Sequence, residues 1–122
     1  MSRIRTIPQS FGYAFEGIKT AIKNEPNFRI HLLVGTFAIV VAMMLNFTPN
    51  EWLILISTIS FVLILELINT SLEAIVNMIS PERQANAKVA KDVAAAAVLI
   101  ASILALIVGA TLFTPKLLPL LQ

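Results

Sequence analysis

One octapeptide in this chain can do chemistry. Glu66-Leu67-Ile68-Asn69-Thr70-Ser71-Leu72-Glu73 sets two carboxylates and an amide at i, i+3 and i+7, so on a helix of 3.6 residues per turn they share one face. The segment from Trp52 to Leu65, apolar or hydroxylated throughout, runs straight into Glu66. A carboxylate at the end of such a run is costly unless it faces a protein interior or a wet cavity, and an ionisable group there marks a functional site by default. Carboxylates suit magnesium, which is usually held by one or two of them plus substrate phosphates. A desolvated carboxylate suits a general base toward a hydroxyl. Two further elements carry related groups, Glu25 upstream and Lys91-Asp92 downstream.

The elements that must position these groups read as membrane helices. The chain has 122 residues, enough for a single domain over 1–122, with 57% hydrophobic and 13% charged residues and a mean hydropathy of +0.85. That is far too apolar for a soluble domain. Without cysteine there is no disulfide framework and no cysteine-based zinc site or nucleophile. The net charge of +2 is too small to suggest nucleic acid. The first 28 residues hold no apolar run long enough for a signal-peptide core. The fold class is all-α: an amphipathic surface helix and three transmembrane helices.

The surface helix is predicted over 10–24, with Ser10 as N-cap, apolar positions at Phe11, Ala14, Phe15, Ile18, Ala21 and Ile22, and lysines on the other face. Pro26 disfavours a helical Glu25, so that carboxylate sits at a turn. The spans are predicted at about 30–47, 52–76 and 93–113, with the second staying helical to Ile79 and a hairpin over 46–51. Ser80-Pro81-Glu82 resembles the start of a short polar helix leading into the third span, which Pro115 and Pro119 end. Ala97, Ala101, Ala105 and Gly109 repeat every fourth residue on that span and predict close packing against another helix, in the same chain or a neighbour. Arg3, Arg5, Lys19, Lys23, Arg29, Arg83, Lys88 and Lys91 fall on one side of this topology and only Lys116 on the other, which orients the N-terminus and the loop after Ile79 to the cytoplasm. Glu25, Glu73, Lys91 and Asp92 then gather at the cytoplasmic interface, where ATP is available, with Glu66 just inside it.

That set would serve phosphoryl transfer from Mg-ATP to a lipid alcohol, with a lysine supplying charge at a phosphate. There is no Gly-rich phosphate loop of the soluble kind. The residue types alone leave other uses open: a helix-packing hydrogen bond in an oligomer, or a proton or cation site in a small carrier.

The order of motifs decides more. Asn24-Glu25 with Phe28-Arg29, then E-x-x-N-[ST]-x-x-E as Glu66 to Glu73, then Ala90-Lys91-Asp92 with an alanine run and Val98, resembles the prokaryotic diacylglycerol kinase and undecaprenol kinase family of small trimeric membrane kinases, over roughly Phe11 to Phe113. The resemblance implies an ATP- and magnesium-dependent lipid kinase of the bacterial inner membrane, with its active site cytoplasmic and shared between protomers of a homotrimer. It implies Glu66 as general base and Asn69 as the amide that orients the phosphoryl group or Glu66. Glu25 and Glu73 match the metal ligands, and Tyr13, Glu82, Lys91 and Asp92 the further nucleotide contacts, Lys91 on phosphate. The chain departs from the family pattern at Asn77, where aspartate is common, at Gln84 for histidine, and at Thr6 for arginine, with Arg5 adjacent. His31, in Phe28-Arg29-Ile30-His31, and Ala95 look like the undecaprenol branch. The expected acceptor is therefore undecaprenol, with diacylglycerol as the alternative; a non-catalytic membrane subunit or ion carrier is the rival of another class.

Overall fold

The computed structural model describes residues 4–82 and 84–122; Arg3 and Arg83, counted in the charge asymmetry, lie outside the described residues. The described chain is four helices and a terminal 3-10 turn: α1 (Ile7–Asn24), α2 (Pro26–Met44), α3 (Pro49–Ile79), α4 (Ala85–Leu117) and the turn Leu118–Leu121. α2, α3 and α4 are each long and apolar enough to cross a membrane, so the expected all-α integral membrane architecture is what the chain adopts.

Several helix ends differ from the sequence reading. α1 begins at Ile7, not near Ser10: Thr6 is its N-cap, and the Thr6 N–H donates to Gln9 Oε1 at 3.1 Å, the reach-back half of a capping box. Glu25 is the single non-helical residue between α1 and α2 (φ −112°, ψ 101°), and Pro26 opens α2. That proline has no N–H to leave unsatisfied in a first turn. Phe28, Arg29 and His31 are therefore already inside a helix that starts four residues earlier than the predicted span. At the other end of α2, Asn46 turns the chain with φ +53°, a conformation asparagine tolerates better than most residues. α3 starts at Pro49 under a full capping box: Glu51 N–H donates to Thr48 Oγ1, and Thr48 N–H donates to Glu51 Oε2. It ends at Ile79, as expected. Ser80 terminates α3 instead of starting the next helix, its hydroxyl donating to the Glu82 carbonyl at 3.1 Å. α4 begins at Ala85 with Gln84 as N-cap. Pro115 does not stop α4, which runs on to Leu117; a proline forfeits one hydrogen bond to the preceding turn, a small loss in a final turn.

α3 and α4 pack antiparallel along a seam that repeats every 3.5 residues. On α3 the buried positions are Leu55, Val62 and Glu66, with Trp52, Ile59, Asn69, Glu73 and Val76 half-buried in the same register; on α4 they are Ala94, Val98, Ala101 and Leu112, with Ala87, Lys91, Ala105 and Val108 half-buried, and Ile59 and Glu66 also meet α2. Alternating steps of three and four residues are the heptad pattern of helices that supercoil about each other. The small-residue stripe lies only in part on this seam. A step of four residues turns about 40° past a full turn, so Ala97 is exposed while Ala101 and Ala105 lie on the seam. A Cβ added at Gly109 would meet nothing within 4 Å.

The hairpin end is closed by a small core of Ala42, Phe47, Leu55 and Leu112, with Phe47 tilted against Trp52 and Phe113 at centroid distances of 5.8 and 5.0 Å. Over it, Lys116 Nζ lies 3.0 Å from Glu51 Oε2, donates to the Asn46 carbonyl at 3.1 Å, and sits 5.5 Å from the Phe47 ring centroid. Lys116→Met leaves the Asn46 carbonyl without this donor and Glu51 without its cation. It is expected to lower the midpoint of thermal unfolding in detergent by a few degrees while leaving the far end of the helices unaltered.

Candidate active site

Glu66 is 3% exposed, the one buried charged residue of the described chain. It takes a seam position that Leu55 and Val62 occupy in the preceding turns of α3. Its polar partner comes from α2: His31 Nε2 lies 3.3 Å from Glu66 Oε1. One turn further along α3, Asn69 Nδ2 donates to Glu73 Oε1 at 3.4 Å, while Asn69 Oδ1 is buried without a donor. Glu66, Asn69 and Glu73 thus share the face that their spacing required, and the same face is the packing seam.

Glu25 is held at the α1–α2 junction by local structure. The Arg29 guanidinium, one turn into α2, donates from Nη1 to the carbonyls of Ile22 (2.8 Å) and Lys23 (3.0 Å). These last-turn carbonyls have no helical partner of their own, so Arg29 ties the surface helix to α2 with Glu25 between them.

Beyond Glu73, a pocket of about 410 Å³ lies between the end of α3, the loop and the start of α4. Asn77, Glu82, Lys91 and Asp92 are on its walls. Lys91 donates to Asn77 Oδ1 across the helix pair, and Lys88 pairs with Asp92 along α4. Among the described residues Lys91 has no carboxylate within ion-pair distance, so a neutral amide holds its ammonium without cancelling its charge. Asn77→Asp would convert this contact into an ion pair. The expected result is a tighter contact between α3 and α4 at this end, read as a rise of about a degree or more in the midpoint of thermal unfolding. Tyr13 does not line this pocket: it is exposed on α1, with Arg5 4.8 Å above its ring.

Sequence reasoning brought together Glu66, Asn69, Glu73 and Lys91 but gave no contact between His31 and Glu66, none between Asn77 and Lys91, and no capping role to Arg29. These link separate helices or helix ends, and no local spacing encodes them.

A second cavity, about 380 Å³ and almost wholly apolar, runs from His31 toward the hairpin end between α2, α3 and α4, past Gly35, Ala38, Ile59, Val62 and Val108.

Oxygen donors, the kind a divalent cation takes, line this end of α3. Glu66 lies beside His31, Glu73 follows two turns further along α3, and the buried Asn69 Oδ1 between them lacks a donor. Among the described residues no three acidic, His or Cys side chains form a metal-ligand cluster.

A buried carboxylate inside a bundle of three membrane-length helices, with a polar pocket at one end and an apolar cleft beneath, belongs to a membrane protein. The family model for prokaryotic diacylglycerol kinase matches residues 12–113, and the chain belongs to that family. It is 42% identical over 113 residues to a diacylglycerol kinase of Synechocystis sp., covering 92% of this chain and 65% of that protein, so it spans about two thirds of that relative's length. It is 33% identical over 109 residues to an undecaprenol kinase of Bacillus subtilis, 89% of each chain. With a diacylglycerol kinase of Escherichia coli K12 it shares 37% over 101 residues, 83% of each. The family is one of lipid kinases, the class expected from the motifs.

Proposed function

We propose that this chain transfers the γ-phosphoryl group of ATP to the hydroxyl of a membrane lipid, with undecaprenol as the first acceptor. The observation that carries the proposal is the buried Glu66 carboxylate, set between an apolar cleft on one side and the Asn69–Glu73 and Lys91 end on the other. A lipid tail occupies the cleft and its hydroxyl stands at Glu66. Glu66 accepts the hydroxyl proton as the oxygen bonds to the γ-phosphorus; the bond from that phosphorus to the β,γ-bridging oxygen breaks, and ADP leaves with the electron pair. Glu25 and Glu73 would hold magnesium, which when bound neutralises charge on the β- and γ-phosphates. Lys91 lies against the phosphates, Asp92 and Glu82 line the nucleotide pocket, Tyr13 contributes from the surface helix, and Asn69 orients the phosphoryl group or Glu66.

The lysine and arginine asymmetry supports a bacterial cytoplasmic membrane with the N-terminus and site inside. A homotrimer with shared sites is supported by the face α4 leaves uncovered at Ala97. His31, Ala95 and the Bacillus relative favour undecaprenol; the names of the Synechocystis and Escherichia relatives favour diacylglycerol, the second acceptor.

Purified full-length protein, labelled ATP, magnesium and either lipid in mixed micelles test this. Labelled polyprenyl phosphate formed faster than labelled phosphatidic acid is the expected result. The reverse order would exchange the two acceptors, and no labelled lipid from either would sink the kinase reading.

A further inference from the structure

The imidazole at His31 is built into the site by backbone packing. Gly35, one turn further along α2, is buried, and a Cβ built there would sit 2.8 Å from Ile59 Cγ2, closer than nonbonded carbons approach. Glycine therefore lets α2 press onto α3 at this point. His31 is four residues before Gly35 and Glu66 seven after Ile59, with Val62 buried between them on α3. The close approach brings imidazole and carboxylate to 3.3 Å, with exposures of 25% and 4% for the two side chains. No other ion pair reaches Glu66 among the described residues. A carboxylate this buried is strongly destabilising without a partner, and His31 also lines the mouth of the apolar cleft.

We infer that His31 is the positioning residue for Glu66: through the Gly35–Ile59 contact, α2 holds Oε1 against the imidazole and leaves Oε2 free for the lipid hydroxyl. This rests on the lipid-kinase reading for its catalytic meaning, but the contact can be tested without turnover. His31 acts through Glu66, so what it needs is a polar N–H at that spot rather than an imidazole, and glutamine supplies one.

The experiment compares His31→Ala, His31→Gln, Gly35→Ala and Gly35→Ala/Ile59→Ala as full-length proteins in the same micelles. His31→Ala is expected to lower kcat ten- to hundredfold, the scale of an ångström misplacement of a reacting group, with KM for ATP unchanged. His31→Gln is expected to recover most of it. Gly35→Ala should lower kcat in the same way, and removing the Ile59 side chain should restore it. Wild-type kcat in His31→Ala would overturn the inference. So would a His31→Gln protein that folds and binds ATP yet is as slow as His31→Ala.

The readout independent of turnover is the rate at which a hydrophobic carbodiimide modifies Glu66, followed by mass spectrometry. It should rise severalfold in His31→Ala and return in His31→Gln, and an unchanged rate would overturn the inference even if no lipid acceptor were found. Inactive wild-type protein with the expected carbodiimide pattern would instead remove the kinase reading and leave the positioning contact standing.

Discussion

Glu66→Gln is expected to abolish lipid phosphorylation while the protein remains folded. Glutamine has nearly the shape of glutamate and keeps an oxygen to face His31 Nε2, 3.3 Å away in the wild type, so the seam between α3 and α4 has no reason to repack. What it lacks is the capacity to take a proton. A positioned general base contributes about 10²–10⁴-fold, so turnover at saturating ATP and lipid should fall by that range with KM for ATP near its wild-type value. Thermal unfolding should shift little or upward, because exchanging a buried charge for a neutral amide of equal volume removes a desolvation cost. Wild-type turnover in this variant would exclude Glu66 as the base. A large fall in unfolding temperature would say instead that the charge is needed for packing, the reading that polar residues in lipid always invite.

Glu73→Gln should give the second-largest effect, distinguished by its dependence on metal. The substitution keeps an acceptor for Asn69 Nδ2, now 3.4 Å from Glu73 Oε1, and removes only the charge. The magnesium concentration for half-maximal rate is expected to rise at least about tenfold, a modest share of the attraction between a unit charge and a divalent ion about 4 Å away, and excess magnesium should restore much of the rate. Glu16→Gln is the matched control, since Glu16 is an exposed carboxylate of α1 paired with Lys19 at 3.2 Å. If Glu73→Gln showed the same magnesium response as the wild type, the metal-ligand role of Glu73 would be wrong.

The parts of the molecule that follow from local chemistry were readable in the chain. Pro26 fixed Glu25 in a turn, and the polar stripe fell on one face because the i, i+3, i+7 spacing admits nothing else on a helix. Where two local signals competed, reading was less secure. Thr6 and Ser10 are both good N-caps, and the Gln9 side chain, three residues after Thr6, decides between them. Ser80-Pro81-Glu82 has the composition of a helix start, yet Ser80 closes α3. Small residues at a period of four share the seam with α3 only at Ala101 and Ala105, while Ala97 faces outward. Contacts across helices were not readable at all. That Gly35 presses on Ile59 depends on how α2 lies over α3, so the pairing of His31 with Glu66 had no signature in either segment. The resemblance implied a phosphate contact for Lys91, but its tether to Asn77 belongs to the folded pair.

α3 and α4 are fastened by polar clasps at both ends, Lys116 to Glu51 and Asn46 at one and Lys91 to Asn77 at the other. Along the helices these clasps stand about 37–39 Å apart at ~1.5 Å per residue, a little more than the ~30 Å hydrocarbon thickness of a bilayer. The pair therefore behaves as a rod of fixed length whose two ends each want water. It cannot shorten by sliding, because a shift of one heptad would break both clasps at once. A thinner membrane must tilt it, and tilting changes the depth of every group along the seam, Glu66 included.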